Sequence, residues 1–150
     1  MSRFEETLAE LQRAADGPEI VVQPDDVARK SHDWWVRGRL SRRVADSPRA
    51  SAVVRPKTSA QVSTTLDWAQ RTRTPIVPFG LGSGVCGAVQ AQEGQVVLDT
   101  SGMSRILEVN ETSLTVVAQP GMRGSDFEDA LAARGYTMGH FPQSIDLSTL

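Results

Sequence analysis

The spacing of apolar residues changes character along this chain, and the changes mark its elements. Phe4, Leu8 and Leu11 recur at helical spacing within residues 2–15. Ser2 and Glu5 are placed as a capping box for that helix, and Gly17-Pro18 supplies its stop. Residues 19–50 lose any period. They are rich in Arg, Asp and Pro, with no internal repeat or low-complexity tract. That stretch reads as an irregular lead-in or lid, not a core element, which Trp34 and Trp35 pack onto the body. Ala52-Val53-Val54 is a short apolar strand halted by Pro56. Thr58 and Gln61 form a second capping box, and Val62, Leu66 and Ala69 carry a helix to about Arg71. Pro75-Ile76-Val77-Pro78-Phe79 is the next strand. Strand, helix and strand in this order predict a βαβ unit with parallel strands.

Beyond Gly84 the pattern returns to short apolar runs. Gln95 to Asp99 reads as a strand. Ile106 to Val109 and Leu114 to Ala118 read as a hairpin around Asn110 to Ser113. Gln119-Pro120-Gly121 is a turn. Ser125 and Glu128 are expected to cap a third helix, with Phe127, Ala130 and Leu131 inward and Gly135 as its stop. The tail from Tyr136 to Leu150 reads as mostly extended. Helices and strands do not alternate regularly, so the fold class is α+β.

Composition narrows the function. With 150 residues, 39% hydrophobic and 23% charged, the chain is long enough for one domain with a real core. A net charge of -2 argues against a broad nucleic-acid surface, and the one basic cluster, Arg37 to Arg43, reads as a solvated face. Cys86 is the single cysteine, which excludes an intrachain disulfide and a cysteine-based metal cluster. The histidines, His32 and His140, stand far apart, so a His-based metal site has little support. No apolar stretch reaches membrane-spanning length and no signal peptide is present, so a cytoplasmic location is expected. Asp126, Glu128 and Asp129 read as first-turn helix charges, and Arg105 as a surface charge. No nucleophile-base-orienter set is visible.

Two segments carry the candidate chemistry. The run Pro78-Phe79-Gly80-Leu81-Gly82-Ser83-Gly84 is a glycine-rich turn directly after an apolar strand. Gln143-Ser144-Ile145-Asp146-Leu147-Ser148-Thr149 is a hydroxyl-rich segment at the end of the chain. Gly82 to Gly87 matches G-x-G-x-x-G, but too few residues separate it from the next strand for the helix that the nicotinamide fold requires. A phosphate nest suits the local sequence better. Glycines let backbone N–H groups converge on an anion, and Ser83, Ser144, Ser148 and Thr149 add hydroxyl donors. A plain loop joining two strands is the alternative for the turn, and a polar loop for the second segment.

Residues from about Ser51 to Leu150 resemble the FAD-binding domain of the vanillyl-alcohol-oxidase/p-cresol-methylhydroxylase (PCMH) type. They are most similar to its alkyldihydroxyacetonephosphate synthase and FAD-linked oxidase branch. The resemblance is carried in order by Ala52 to Thr58, Pro78 to Gly84, Leu98 to Leu107, Gln119-Pro120-Gly121, Gly135 to His140 and Pro142 to Thr149. It implies two α+β subdomains holding FAD between them: the first, βαβ plus antiparallel strands, and the start of the second. Carried over by position, the FAD contacts are Pro78, Phe79, Gly80, Leu81, Gly82, Ser83 and Gly84 on one side. On the other they are Gln143, Ser144, Ile145, Asp146, Leu147, Ser148 and Thr149.

Three departures modify that expectation. Many relatives hold the flavin covalently through a His in the turn; Ser83 stands there, so FAD is expected to be non-covalent. Cys86 takes the place of a small hydroxyl residue and reads as a small buried filler. In the family Gly-Gly follows Ser-Thr, with the rest of the FAD domain and a substrate cap. The chain is therefore expected to be a lead-in (1–50) and a domain (51–150) incomplete at its C-terminus. The function so implied is the FAD-binding portion of an oxidoreductase acting on a small alcohol or 2-hydroxy acid. The missing C-terminal region would supply the substrate site, with a possible homodimer at full length. The alternatives are a redox-neutral alkylglycerone-phosphate-synthase-like transferase, a non-catalytic nucleotide-binding fragment and a nicotinamide enzyme.

Overall fold

A four-stranded sheet in the order β1-β2-β4-β3 organises the first two thirds of the computed structural model, which describes residues 2–36, 40 and 49–150. Its strands are β1 (Glu19–Val21), β2 (Ala52–Arg55), β3 (Ile76–Phe79) and β4 (Val96–Asp99). β2, β4 and β3 run parallel, and β1 closes the β2 edge antiparallel. The predicted βαβ strands do share a direction, but β4 lies between them. Helix α3 (Ser59–Thr72) makes the crossover from β2 to β3. The return from β3 to β4 uses residues 80–95 and contains no helix. A parallel neighbour requires a chain long enough to come back across the sheet. Here the glycine-rich segment does that itself.

Both faces of the sheet are covered, as a parallel sheet demands. Ala52, Val54, Val96 and Leu98 face one side with Leu8, Leu11, Trp68 and Ala69. Val53 and Val97 face the other with Val21, Val27, Ala50, Phe79 and Ala91. Helix α1 (Arg3–Arg13) has the expected reciprocal cap: Ser2 Oγ accepts from Glu5 N and Ser2 N donates to the Glu5 carboxylate. Trp68 stands edge-on to Phe4 and its indole N–H donates to Thr7 O at 2.8 Å, locking α1 to α3.

Residues 19–50 are not merely a lid. β1 pairs along β2, and α2 (Pro24–Lys30) places Val27 in the core. The lack of period misled because a three-residue strand and a seven-residue helix are too short to show one. The arginines of the basic cluster, Arg37, Arg39, Arg42 and Arg43, lie outside the described residues. In α3 the Thr58 hydroxyl caps as expected, but Gln61 Oε1 accepts from Lys57 N, one residue before the cap. The inward face takes Thr65 and Trp68, while Leu66 is exposed.

The second unit is the hairpin β5 (Ile106–Asn110) and β6 (Thr115–Ala118) packed on α4 (Gly124–Ala132). Asn110 Oδ1 shapes the turn by accepting from Thr112 N and Ser113 N. Phe127 and Leu131 point inward against Ile106 and Val116, as expected. The cap of α4 differs. Ser125 and Glu128 do not form it: the helix begins at Gly124, and Glu128 accepts from Thr137 and Met138 instead. The first amides of α4 have other partners. Gly124 N donates to Ser148 O at 3.1 Å and Ser125 N to Ile145 O at 3.3 Å. Carbonyls from the tail thus occupy the place of an N-cap side chain. For that reason the tail is not extended throughout; it turns at residues 143–147, then bridges Arg123 through Thr149.

Candidate functional site

The carboxyl ends of the parallel strands converge on one edge of the sheet: Arg55 from β2, Phe79 from β3 and Asp99 from β4. That edge is where open parallel sheets present their ligand crevice, because the loops diverge there. Glycine-rich residues 80–84 leave β3 directly above it. Phe79 is buried beneath them.

The turn is built by close approach. Gly82 has φ +71°, and a Cβ there would lie 2.7 Å from the Phe79 ring. A Cβ on Gly80 would collide with Thr149 Oγ1. That contact joins the two segments singled out from the sequence, and the hydroxyls join them again. Ser148 Oγ is 2.8 Å from Ser83 Oγ and 2.7 Å from Ser144 Oγ. The segments are therefore two facing walls. Pro78 and Gln143 stand exposed at the rim, as do Asp146 and Leu147, and Ile145 packs on Gly124. Leu81 is half-buried in the turn.

The electrostatics of the first wall rest on its backbone. Among the described residues, none of the amides of Gly80 through Gly87 donates to a protein acceptor. A turn with that many unengaged donors and no Cβ at its tightest points has the chemistry that an anion cradle requires. No helix follows it, which removes the arrangement a nicotinamide fold requires.

Beneath the cradle lies a charge cluster that sequence reasoning missed. Asp99 is buried and pairs with Lys30 Nζ at 3.1 Å and Arg55 Nε at 3.3 Å. Burial alone would raise its carboxyl. The hydrogen bonds from Ser101 and the Lys30 ammonium outweigh burial and leave it below the ordinary carboxylate value. Lys30 also sits 4.7 Å over the Phe79 ring, so the same ammonium steadies the floor of the turn. Lys30 lies in a stretch whose sequence announced no element, and no local signal tied it to Asp99.

Of residues 31–35 only the docking of Trp34 and Trp35 was expected, and the pairing of this segment was missed for the same reason. The segment runs beside residues 84–91, with a bridge between His32 and Gln90. Trp34 N donates to Gly84 O, and Ala91 N to Ser31 O, both at 2.8 Å. Trp35 packs where a Cβ on Gly87 would stand, whereas the Trp34 side chain is largely exposed. Of the two tryptophans expected to dock, then, one does so through its ring and the other through its backbone. Cys86 is exposed and fills no gap, contrary to expectation. His140 is exposed, at the approach to the second wall.

Comparison with known proteins bears on this geometry. The sequence model of a family described as FAD binding domain matches residues 50–150. Glycolate oxidase subunit GlcD of Bacillus subtilis (strain 168) is 35% identical over 99 residues, covering 66% of this chain and 21% of that protein. The alkyldihydroxyacetonephosphate synthase of Trypanosoma brucei brucei is 30% identical over 141 residues, covering 86% of this chain and 22% of that protein. A solved alkyldihydroxyacetonephosphate synthase superposes with TM-score 0.88 over 99% of this chain and 31% of its own, at 23% identity. The last likeness concerns the fold. The chain spans about a fifth of the length of the curated relatives it matches.

Proposed function

The chain belongs to the FAD binding domain family, with FAD as its cofactor, and from that premise we propose that the two facing walls hold the FAD diphosphate. The observation that carries the reading is the junction itself: Ser83, Ser144 and Ser148 linked by hydroxyl contacts, beside amides that have no acceptor among the described residues. The cradle fits the group. Diphosphate oxygens take many donors at close range, and glycine at positions 80 and 82 lets the turn pass tightly against Thr149 and Phe79. Pro78 to Gly84 supplies backbone donors, and Gln143 to Thr149 supplies hydroxyls.

The flavin, when bound, supplies the electron-accepting chemistry. This chain's residues bind and orient it. Ser83 has no nucleophilic imidazole, and the turn contains no histidine, so the attachment is non-covalent. Acid precipitation of the purified holoprotein should therefore release all FAD into the supernatant; flavin retained in the pellet would contradict this.

For the whole protein we favour an oxidoreductase of small alcohols or 2-hydroxy acids, supported by the likeness to a glycolate oxidase subunit. A second reading, a redox-neutral exchange on a glycerone phosphate, is favoured by the longer match to an alkyldihydroxyacetonephosphate synthase. Turnover separates them. Substrate-dependent bleaching of the flavin by a 2-hydroxy acid supports the first, and alkyl-for-acyl exchange without net flavin reduction supports the second. The exposed apolar residues of the hairpin, Leu107 and Val117, fit a surface covered by further protein, within the same subunit or a second one. Among the described residues no helix is long and apolar enough to cross a membrane, and we assign a cytoplasmic setting. The cofactor reading is tested by the visible spectrum of the full-length protein: a colourless protein that takes up no added FAD would overturn it.

A further inference from the structure

The buried carboxylate of Asp33 has no place in the readings above, and it lies outside the residues matched by the FAD binding domain family. It is 2% exposed. Its oxygens accept three N–H donors: Trp35 N at 3.1 Å, Val89 N at 3.3 Å and Gln90 Nε2 at 3.3 Å. The backbone repeats the link, since Asp33 N donates to Val89 O at 3.2 Å. Asp33 Oδ2 also stands 3.1 Å from where a Cβ on Gly84 would be. One carboxylate therefore touches the crossover at two places, the end of the glycine turn and residues 89–90 where the chain heads back to β4.

We propose that Asp33 is the positioning residue of the cofactor loop. Its carboxylate holds residues 89–90 by hydrogen bonds and abuts Gly84, whose carbonyl accepts from the adjoining Trp34 N, so that the glycine turn is ordered before FAD arrives. The physical case is one of ordering. A helixless crossover rich in glycine loses much conformational entropy when it is fixed, and a loop ordered only on binding weakens affinity by that amount. A buried carboxylate accepting three N–H groups supplies that order beforehand, because its hydrogen bonds are charge-assisted and shielded from water. A negative charge would be a poor direct ligand for a diphosphate, so the side chain is not offered as a contact. Gly84 follows from the same geometry: any side chain there would press on the carboxylate.

This inference rests on the reading of Pro78 to Gly84 as the diphosphate wall, and the test separates the two. In the full-length protein, FAD affinity of the apoprotein is measured by flavin fluorescence, with hydrogen exchange of the amides of residues 80–87. Asp33→Asn is isosteric, but its NH2 would face N–H donors. It should raise the FAD Kd about tenfold or more and speed exchange across the turn. Leu8→Val, far away in the α1 core, controls for general destabilisation and should leave both readouts near wild type. Should Asp33→Asn not fold, Gly84→Ala presses on the same carboxylate and should raise Kd in the same direction. An FAD Kd within about twofold of wild type in the folded variant, with loop exchange unchanged, would overturn the proposal. Gly82→Trp tells the failures apart: if it abolishes binding while Asp33→Asn does nothing, only the positioning role fails. If neither changes binding, the diphosphate reading fails with it.

Discussion

The two walls of the site are made from opposite materials. The glycine wall offers backbone amides, and its side chains are absent where the chain must pass closely, at Gly80 and Gly82. The tail wall offers side-chain hydroxyls, while its backbone is engaged elsewhere: the carbonyls of Ile145 and Ser148 accept the first amides of α4. A backbone donor depends on φ/ψ and clearance, so it is lost whenever either is violated. A hydroxyl is replaceable one at a time. The first wall should therefore break abruptly under substitution, and the second should weaken by steps.

The largest effect is expected at Gly82. A tryptophan there meets a left-handed backbone and the Phe79 ring, a cost on the order of 3 kcal/mol that corresponds to about a hundredfold in FAD Kd. Flavin content of the purified full-length variant reports it directly, and unchanged content would remove the turn from the site. Next comes Gly80→Ala, whose methyl collides with Thr149 Oγ1. Overpacking of this kind costs about 1–3 kcal/mol, roughly five- to a hundredfold in Kd. Thr149→Ala in the same chain removes the colliding oxygen and should restore much of the loss. Additive effects in that double-mutant cycle would show that the walls do not touch as described.

Ser148→Ala should be milder. It removes one hydroxyl that links Ser83 to Ser144, worth about 1 kcal/mol or some fivefold in Kd by titration. A loss as large as that of Gly82→Trp would contradict the contrast between the walls. The smallest effect concerns the floor. Asp99 titrates below its ordinary value of 3.8, so the unfolded chain binds that proton at a higher pH than the folded one. Its contribution to stability is complete above 3.8 and is lost as pH falls through the lower folded value. Urea melts of Asp99→Asn should run closest to wild type at the acid end and diverge as pH rises past 3.8. A constant offset at every pH would dissociate Asp99 from the acid limb.

Much of this was legible in one dimension. The capping box of Ser2 and Glu5, the helix after Thr58 and the hairpin turning at Asn110 are local, each specified within a few residues. The two walls were found from composition and from family resemblance, and the structure brings them together. The failures have a common form. β1 and α2 are too short to show a period, so their burial depends on partners brought together from other parts of the chain. The start of α4 was misplaced because its amides are satisfied by Ile145 and Ser148, which no cap rule surveys. Cys86 was assigned to the interior by residue type, yet it stands exposed in the crossover.

By itself the order of residues determined the α+β class, the family and the two segments proposed to hold the cofactor, because glycine freedom, caps and strand period act over short range. Only the tertiary structure decided that Asp33 meets the crossover and that Lys30 and Asp99 pair at the strand ends. Their partners are brought near by the sheet: Lys30 and Arg55 reach Asp99 at the strand ends, and Asp33 reaches Val89 and Gln90 across the crossover. Such pairings leave no mark on neighbouring residues, since a buried carboxylate is stabilised by donors gathered in space and not in sequence.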